Sequence, residues 1–120
     1  GEFVNLIQLE IKTDQETKSI LGTLSGNKQP RIVKIDDYYL DLYPVGEMIF
    51  IRNLDKPGLI GHLGSLLAKN DINIAAMALG RNQPGDKAIS VWSVDNQVGT
   101  EMQEKIKKLE NILTVKVIRA

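Results

Sequence analysis

Cysteine is absent from the 120 residues, and with it go disulfides, thiolate metal sites and cysteine nucleophiles. Histidine occurs once, as His62, within a stretch of helical spacing and without an acidic or nucleophilic neighbour, so acid–base catalysis has no candidate pair. Aromatic residues make up 5%, and Trp92 is the sole tryptophan. One ring among aliphatic neighbours suits packing better than base stacking. Excess charge of one sign is also lacking. Fifteen Lys+Arg balance fifteen Asp+Glu, which argues against the dense basic surface of a nucleic-acid binder. No apolar run nears the roughly 20 residues of a membrane-spanning helix, and no leader pattern of charged, apolar and small regions is present. Phosphate loops, nucleotide-binding glycine patterns and metal-ligand spacings are missing too. The expectation is a soluble, cytoplasmic chain without catalytic residues, cofactor or metal, and without nucleic-acid or membrane partners.

The residues that are present fall into two textures. Gly1-Glu2-Phe3, with no initiator methionine, reads as a cloning scar (1–3), so that the following chain is expected to derive from a longer polypeptide. From residue 4 to 46 the pattern is strand-like. Ile7, Leu9 and Ile11 alternate along a first strand, 19–24 forms a second before Ser25-Gly26-Asn27, and 32–35 pairs with 38–42 around Asp36-Asp37 as a hairpin. Pro44-Val45-Gly46 breaks the pattern and marks a domain boundary.

From 47 to 120, strands and helices alternate. A short apolar strand spans 48–52, and Asp55-Lys56-Pro57-Gly58 opens a helix with a carboxylate near the free N–H groups and proline in the first turn. Leu59, Ile60, Leu63, Leu66 and Leu67 keep the helical period until Asn70-Asp71. Strands are expected at 72–79 and 87–94 around a loop containing Pro84-Gly85. Thr100 and Gln103 have the spacing of a capping box, Met102, Ile106 and Leu109 share a helical face, and a β-branched strand closes the chain at 112–118. The order β-α-β-β-α-β predicts an α+β, ferredoxin-like domain of four antiparallel strands under two helices, with a small antiparallel β segment N-terminal to it.

Two polar residues frame the first helix, Asp55 before it and Asn73 eighteen positions later. A helix N-terminus with donors at Gly58 and Leu59 can seat a carboxylate, and Asp55 beside it can hold an ammonium group. Together they answer the two charges of a free amino acid. Asn73 begins a strand expected at the sheet edge, where an identical chain can add on, so that Asn73 of one copy meets Asp55 of another. Gly58, Gly61 and Gly64 each cost roughly 1 kcal/mol of helix stability against alanine, which suggests that something approaches closely. The plainer alternative has Asp55 capping the helix, Asn73 making a turn and the glycines accommodating the sheet beneath.

The run Asp55-Lys56-Pro57-Gly58-Leu59-Ile60-Gly61, with Asn70-Asp71-Ile72-Asn73-Ile74-Ala75 and the Gly80-Arg81 strand end, resembles the ACT domain, a small-molecule regulatory module of amino-acid metabolism. Within that family it is similar to the C-terminal regulatory domains of D-3-phosphoglycerate dehydrogenases, NAD-dependent enzymes of serine biosynthesis. The resemblance implies L-serine, or another small amino acid, held between two ACT domains of a homodimer or higher oligomer. Asp55, Asn73 and Asn53 match positions that contact it, and Pro57, Gly58, Leu59 and Ile60 surround it. It places NAD and oxidoreductase chemistry in the parent enzyme. Residues 22–46 resemble the end of the intervening allosteric-substrate-binding domain of the longer dehydrogenases. There Arg31, with Lys34 nearby, implies an anion site, although Tyr43 stands where some relatives have arginine. An ACT module of the beta chain of an iron–sulfur L-serine dehydratase, or a purely dimerising domain without ligand, remains open.

Overall fold

The computed structural model describes residues 5–12, 17–24, 30–35, 38–81 and 86–119, with side chains from Lys34 onward. The chain divides into two compact units, Gly1–Pro44 and Val45–Ala120. In the first, β1 (Asn5–Lys12), β2 (Thr17–Leu24), β3 (Pro30–Ile35) and β4 (Tyr38–Leu42) form a sheet in sequence order, each strand antiparallel to the next. Along β4 the alternation is carried through: Tyr38, Leu40 and Leu42 are buried while Tyr39 and Asp41 are exposed. The expected turns at Ser25-Gly26-Asn27 and Asp36-Asp37, and the facing of Ile7, Leu9 and Ile11, lie outside the described residues and side chains.

The second unit runs β5 (Glu47–Leu54), α1 (Leu59–Lys69), β6 (Ile74–Arg81), β7 (Lys87–Val94), α2 (Thr100–Lys107) and β8 (Ile112–Arg119). Its strands lie in the order β6-β7-β5-β8, so β6 and β8 are the edges. Both β5 and β6 are antiparallel to the β7 between them, hence parallel to each other. Ile49, Ile51, Trp92, Val94 and Val115 of the sheet pack against Leu63 and Leu67 of α1 and Met102 and Ile106 of α2. This is the α+β, ferredoxin-like arrangement. Trp92 is 2% exposed and its Nε1 donates to Ser90 Oγ at 2.9 Å. It is a core residue.

Four local expectations are corrected by the structure. Helix α1 starts at Leu59, because Gly58 takes φ 90° as its N-cap and leaves the 55–57 stretch outside the helix. Helix α2 is capped by Gly99 in extended conformation, which makes Thr100 the first helical residue and removes the capping box. Gln103 Nε2 reaches the Val98 carbonyl instead, at 3.4 Å. Leu109 falls beyond the helix yet still packs on the core. A side chain built on Gly61 or Gly64 would meet nothing within 4 Å, so these glycines do not accommodate the sheet beneath.

The buried Glu47 closes the far end of the unit. Its Oε2 accepts from the Val98 N–H at 2.7 Å and its Oε1 from Arg119 Nε at 3.0 Å, tying β5 to the end of β8 and to the loop before α2. Both contacts are charge-assisted, which offsets the cost of burying the carboxylate.

The glycines of the first helix separate two effects. Gly58→Ala places a side chain at positive φ and is expected to cost about 1–2 kcal/mol, seen as a lower Tm. Gly61→Ala in dilute, monomeric protein is expected to stabilise by up to about 1 kcal/mol. A fall in Tm for the latter would show that space around the helix is occupied.

Candidate functional site

The parallel course of β5 and β6 brings their C-terminal ends together. Asp55 follows β5 directly and Arg81 ends β6, and the Arg81 guanidinium Nη1 donates to Asp55 Oδ2 at 3.0 Å. The Asp55 N–H donates to the Asp86 carbonyl at 2.6 Å, which fixes the backbone there. Side-chain exposure is 51% for Arg81 and 20% for Asp55. An ion pair so open to water contributes about 0–1 kcal/mol. It opens at little cost.

Asn53 lies on the same strand end, paired in register with Ala88, which in turn faces Arg81 on β6. It is 3% exposed. Its Nδ2 donates to the Leu54 carbonyl at 2.9 Å, while its Oδ1 is buried without a hydrogen-bond partner among the described residues. Such an acceptor costs about 1–3 kcal/mol if left unpaired. A ligand donor would recover part of that.

Next to this pair begins α1. The first intrahelical bond closes from His62 N–H to the Gly58 carbonyl at 2.9 Å. The N–H groups of Leu59, Ile60 and Gly61 precede it and have no intrahelical acceptor. Leu59 is buried, so it can offer a ligand its N–H but not its side chain, whereas Pro57, Gly58 and Ile60 are exposed. His62 is exposed too, with its Cε1 3.5 Å from where a Gly58 side chain would stand. The region thus offers a carboxylate, a guanidinium, a buried acceptor and a helix N-terminus.

Asn73 sits at the opposite end of β6, eight residues or roughly 25 Å away along the strand. It is exposed, and Asp95 holds it twice. Asn73 Nδ2 donates to Asp95 Oδ2 at 2.6 Å, and its carbonyl accepts the Asp95 N–H at 3.0 Å. Beside them lies a cavity of about 380 Å³ lined by Glu47, Ala75, Asp95, Gln97 and Arg119 among others. Within one copy, then, Asp55 and Asn73 do not meet.

The first unit contributes little described side-chain detail. Lys34 Nζ lies 5.3 Å from the centroid of the Tyr39 ring, its register partner on β4. Backbone pairing sets Arg31 opposite Thr23, and the Arg31 side chain is outside the description.

Arg81, Asp95 and Glu47 carry the polar contacts just described and were not singled out for a role by their spacing in sequence. For Arg81 a signal did exist. A β-α-β unit with parallel strands must place the last residue of its second strand beside the residue after its first.

The ACT domain family model matches residues 48–111. A D-3-phosphoglycerate dehydrogenase of Methanocaldococcus jannaschii is 36% identical over 117 residues, 98% of this chain and 22% of that protein. Proteins of the same name from Bacillus subtilis, 33% identical over 116 residues, and Archaeoglobus fulgidus, 34% over 113, align with 97% and 92% of this chain and with 22% and 21% of their own. The chain spans about a fifth of the length of these relatives. With a four-stranded β6-β7-β5-β8 sheet, two helices packed on its core and a family match from the first apolar strand to the turn before the last one, the chain belongs to the ACT domain family.

Proposed function

We propose that this chain is the amino-acid-binding regulatory module of an NAD-dependent D-3-phosphoglycerate dehydrogenase, with L-serine or another small amino acid as effector. The effector sits between two copies. The observation that carries the reading is the placement of Asn73 at one end of the edge strand β6 and of Asp55, bonded to Arg81, at the other. Two such strands, joined antiparallel about a twofold through their middle, bring Asn73 of each copy to the Asp55–Arg81 end of the other. One strand length then separates two equivalent sites.

The edge itself supports joining. Residues 75–77 and 79 are exposed along β6, with Met77 at 39% and Leu79 at 42%. An apolar strand edge left bare invites pairing with another chain. Ile60 of α1 is 42% exposed, and Gly61 and Gly64 leave open space on the same helix. A second copy gives those glycines the neighbour that their own chain does not provide.

At each site, Asp55 takes the effector's ammonium, the N–H groups at the start of α1 take its carboxylate, and Asn53 Oδ1 is an acceptor for a side-chain hydroxyl. Asn73 of the second copy completes the cage. Regulation follows from the location. A ligand whose contacts come from both copies binds only when they are correctly placed, and so favours that arrangement over others. The parent's distant domains respond to the arrangement, and NAD and the redox step belong to them. No nucleotide-binding glycine pattern occurs in these 120 residues. On this reading residues 4–46 are the end of an intervening allosteric-substrate-binding domain, with Arg31 and Lys34 as its anion-binding residues, and the parent is cytoplasmic.

Calorimetry on the chain is expected to give stereoselective heat with L-serine over D-serine, and Asp55→Ala to weaken it about ten- to hundredfold, the worth of a charge-assisted hydrogen bond. An unchanged isotherm in that variant, or no amino acid bound at millimolar concentration, counts against the module. Sedimentation should show a dimer that Met77→Lys converts to monomer, with loss of effector binding, because Asn73 is then removed from the site. A monomeric variant that binds as tightly as the parent chain would place the whole site within one copy. At a hundred times the dissociation constant the effector should stabilise the fold by about 2.7 kcal/mol, visible as a rise in Tm.

A further inference from the structure

We propose that Arg81 is the carboxylate anchor of the effector site, and that its bond to Asp55 is the empty site's substitute for a bound zwitterion. The inference rests on the amino-acid-binding reading above and adds to it the residue that selects zwitterions.

Asp55 and Arg81 sum to zero, and an α-amino acid also sums to zero. Each ligand charge therefore finds an opposite partner within the pair. Without Arg81 the effector's carboxylate would enter beside the Asp55 carboxylate with only the partial positive charge of a helix N-terminus, about half an elementary charge, to meet it. Repulsion would then favour simple amines over amino acids.

Geometry supports the role. Among the described residues, Arg81 contacts Asp55 through Nη1 alone, at 3.0 Å, and about half of the side chain faces solvent. The rest of the planar fork is left to receive a carboxylate in the bidentate manner that arginine favours over lysine. The same row across the sheet runs Asn53, Ala88, Arg81. Asn53 is 3% exposed and carries a buried Oδ1 without partner among the described residues. An orphaned acceptor in that row marks the place as built for a ligand with a donor.

An α-amino acid carries its two charged groups on one carbon, so it can insert into the pair by a small outward swing of a half-exposed arginine. Ammonium replaces guanidinium on Asp55. Guanidinium turns to the carboxylate. Arg81 thus stays satisfied in both states, and the exchange discriminates against any ligand lacking either charge.

The test is calorimetry on the 120-residue chain with L-serine, L-serinamide and ethanolamine, comparing the unaltered protein with Arg81→Met and Arg81→Lys. The unaltered chain is expected to prefer L-serine to L-serinamide by at least about tenfold. In Arg81→Met, L-serine should weaken by about ten- to hundredfold while ethanolamine is unchanged or improved, so that the preference collapses. Arg81→Lys, which keeps the charge but not the fork, should fall between. Arg81→Met binding L-serine as well as the unaltered chain, or more tightly, overturns the anchor and leaves Arg81 as a mere competitor for Asp55, with the regulatory module intact. If the unaltered chain binds none of L-serine, glycine, L-alanine and L-threonine, the underlying reading fails as well. A melting curve for each variant reports whether the fold survives, and Arg81→Lys keeps the comparison decisive should Arg81→Met unfold.

Discussion

The insertion of β7 between β5 and β6 is the constraint from which the site follows. It forces β5 and β6 to run parallel, so that both strands deliver their last residues to one end of the sheet, where α1 begins. A carboxylate, a guanidinium and a helix N-terminus are gathered there although 26 residues separate Asp55 from Arg81. The same constraint sends Asn73 to the other end. A site that needs both Asp55 and Asn73 is therefore incomplete in one copy, and incompleteness is what an interface-sensing regulator requires.

Energetics sort the polar groups by task. Glu47 is buried and fully engaged by Val98 and Arg119, so it serves the fold. Asn73 is exposed but held by two bonds to the same residue, Asp95, which sets the orientation of its amide. Asp55 and Arg81 are the opposite case. Their pair is open to water and weak, hence easily exchanged for a ligand. Stability resides in the layer of Ile49, Ile51, Leu63, Leu67, Trp92 and Ile106, away from the exchangeable groups. The open ion pair therefore lies outside the packed core.

Much of this was legible in the chain. The apolar periods located the strands of the second unit to within two residues and both of its helices apart from the start of the first, because burial of one helical stripe or one strand face leaves its spacing in the residues. Misreadings clustered at helix starts. Thr100 and Gln103 have the right spacing for a capping box, and Asp55 and Pro57 the right residues for an N-terminus. Yet Gly99 and Gly58 became the caps. Cap position depends on one residue's dihedral angles, and those answer to how the incoming strand ends rather than to local composition.

Sequence alone determined the alternation β-α-β-β-α-β, the absence of thiol chemistry, and the placing of Asp55 just before the first helix, all of which depend on residue type and spacing. Tertiary structure alone decided that Asp55 is paired with Arg81 rather than standing ready for a ligand, that Asn73 is tied to Asp95, and that Gly61 and Gly64 face open space. The physical reason is range. Periodicity records which face of an element is buried, whereas a contact between strand ends depends on strand order and register, which no segment contains by itself.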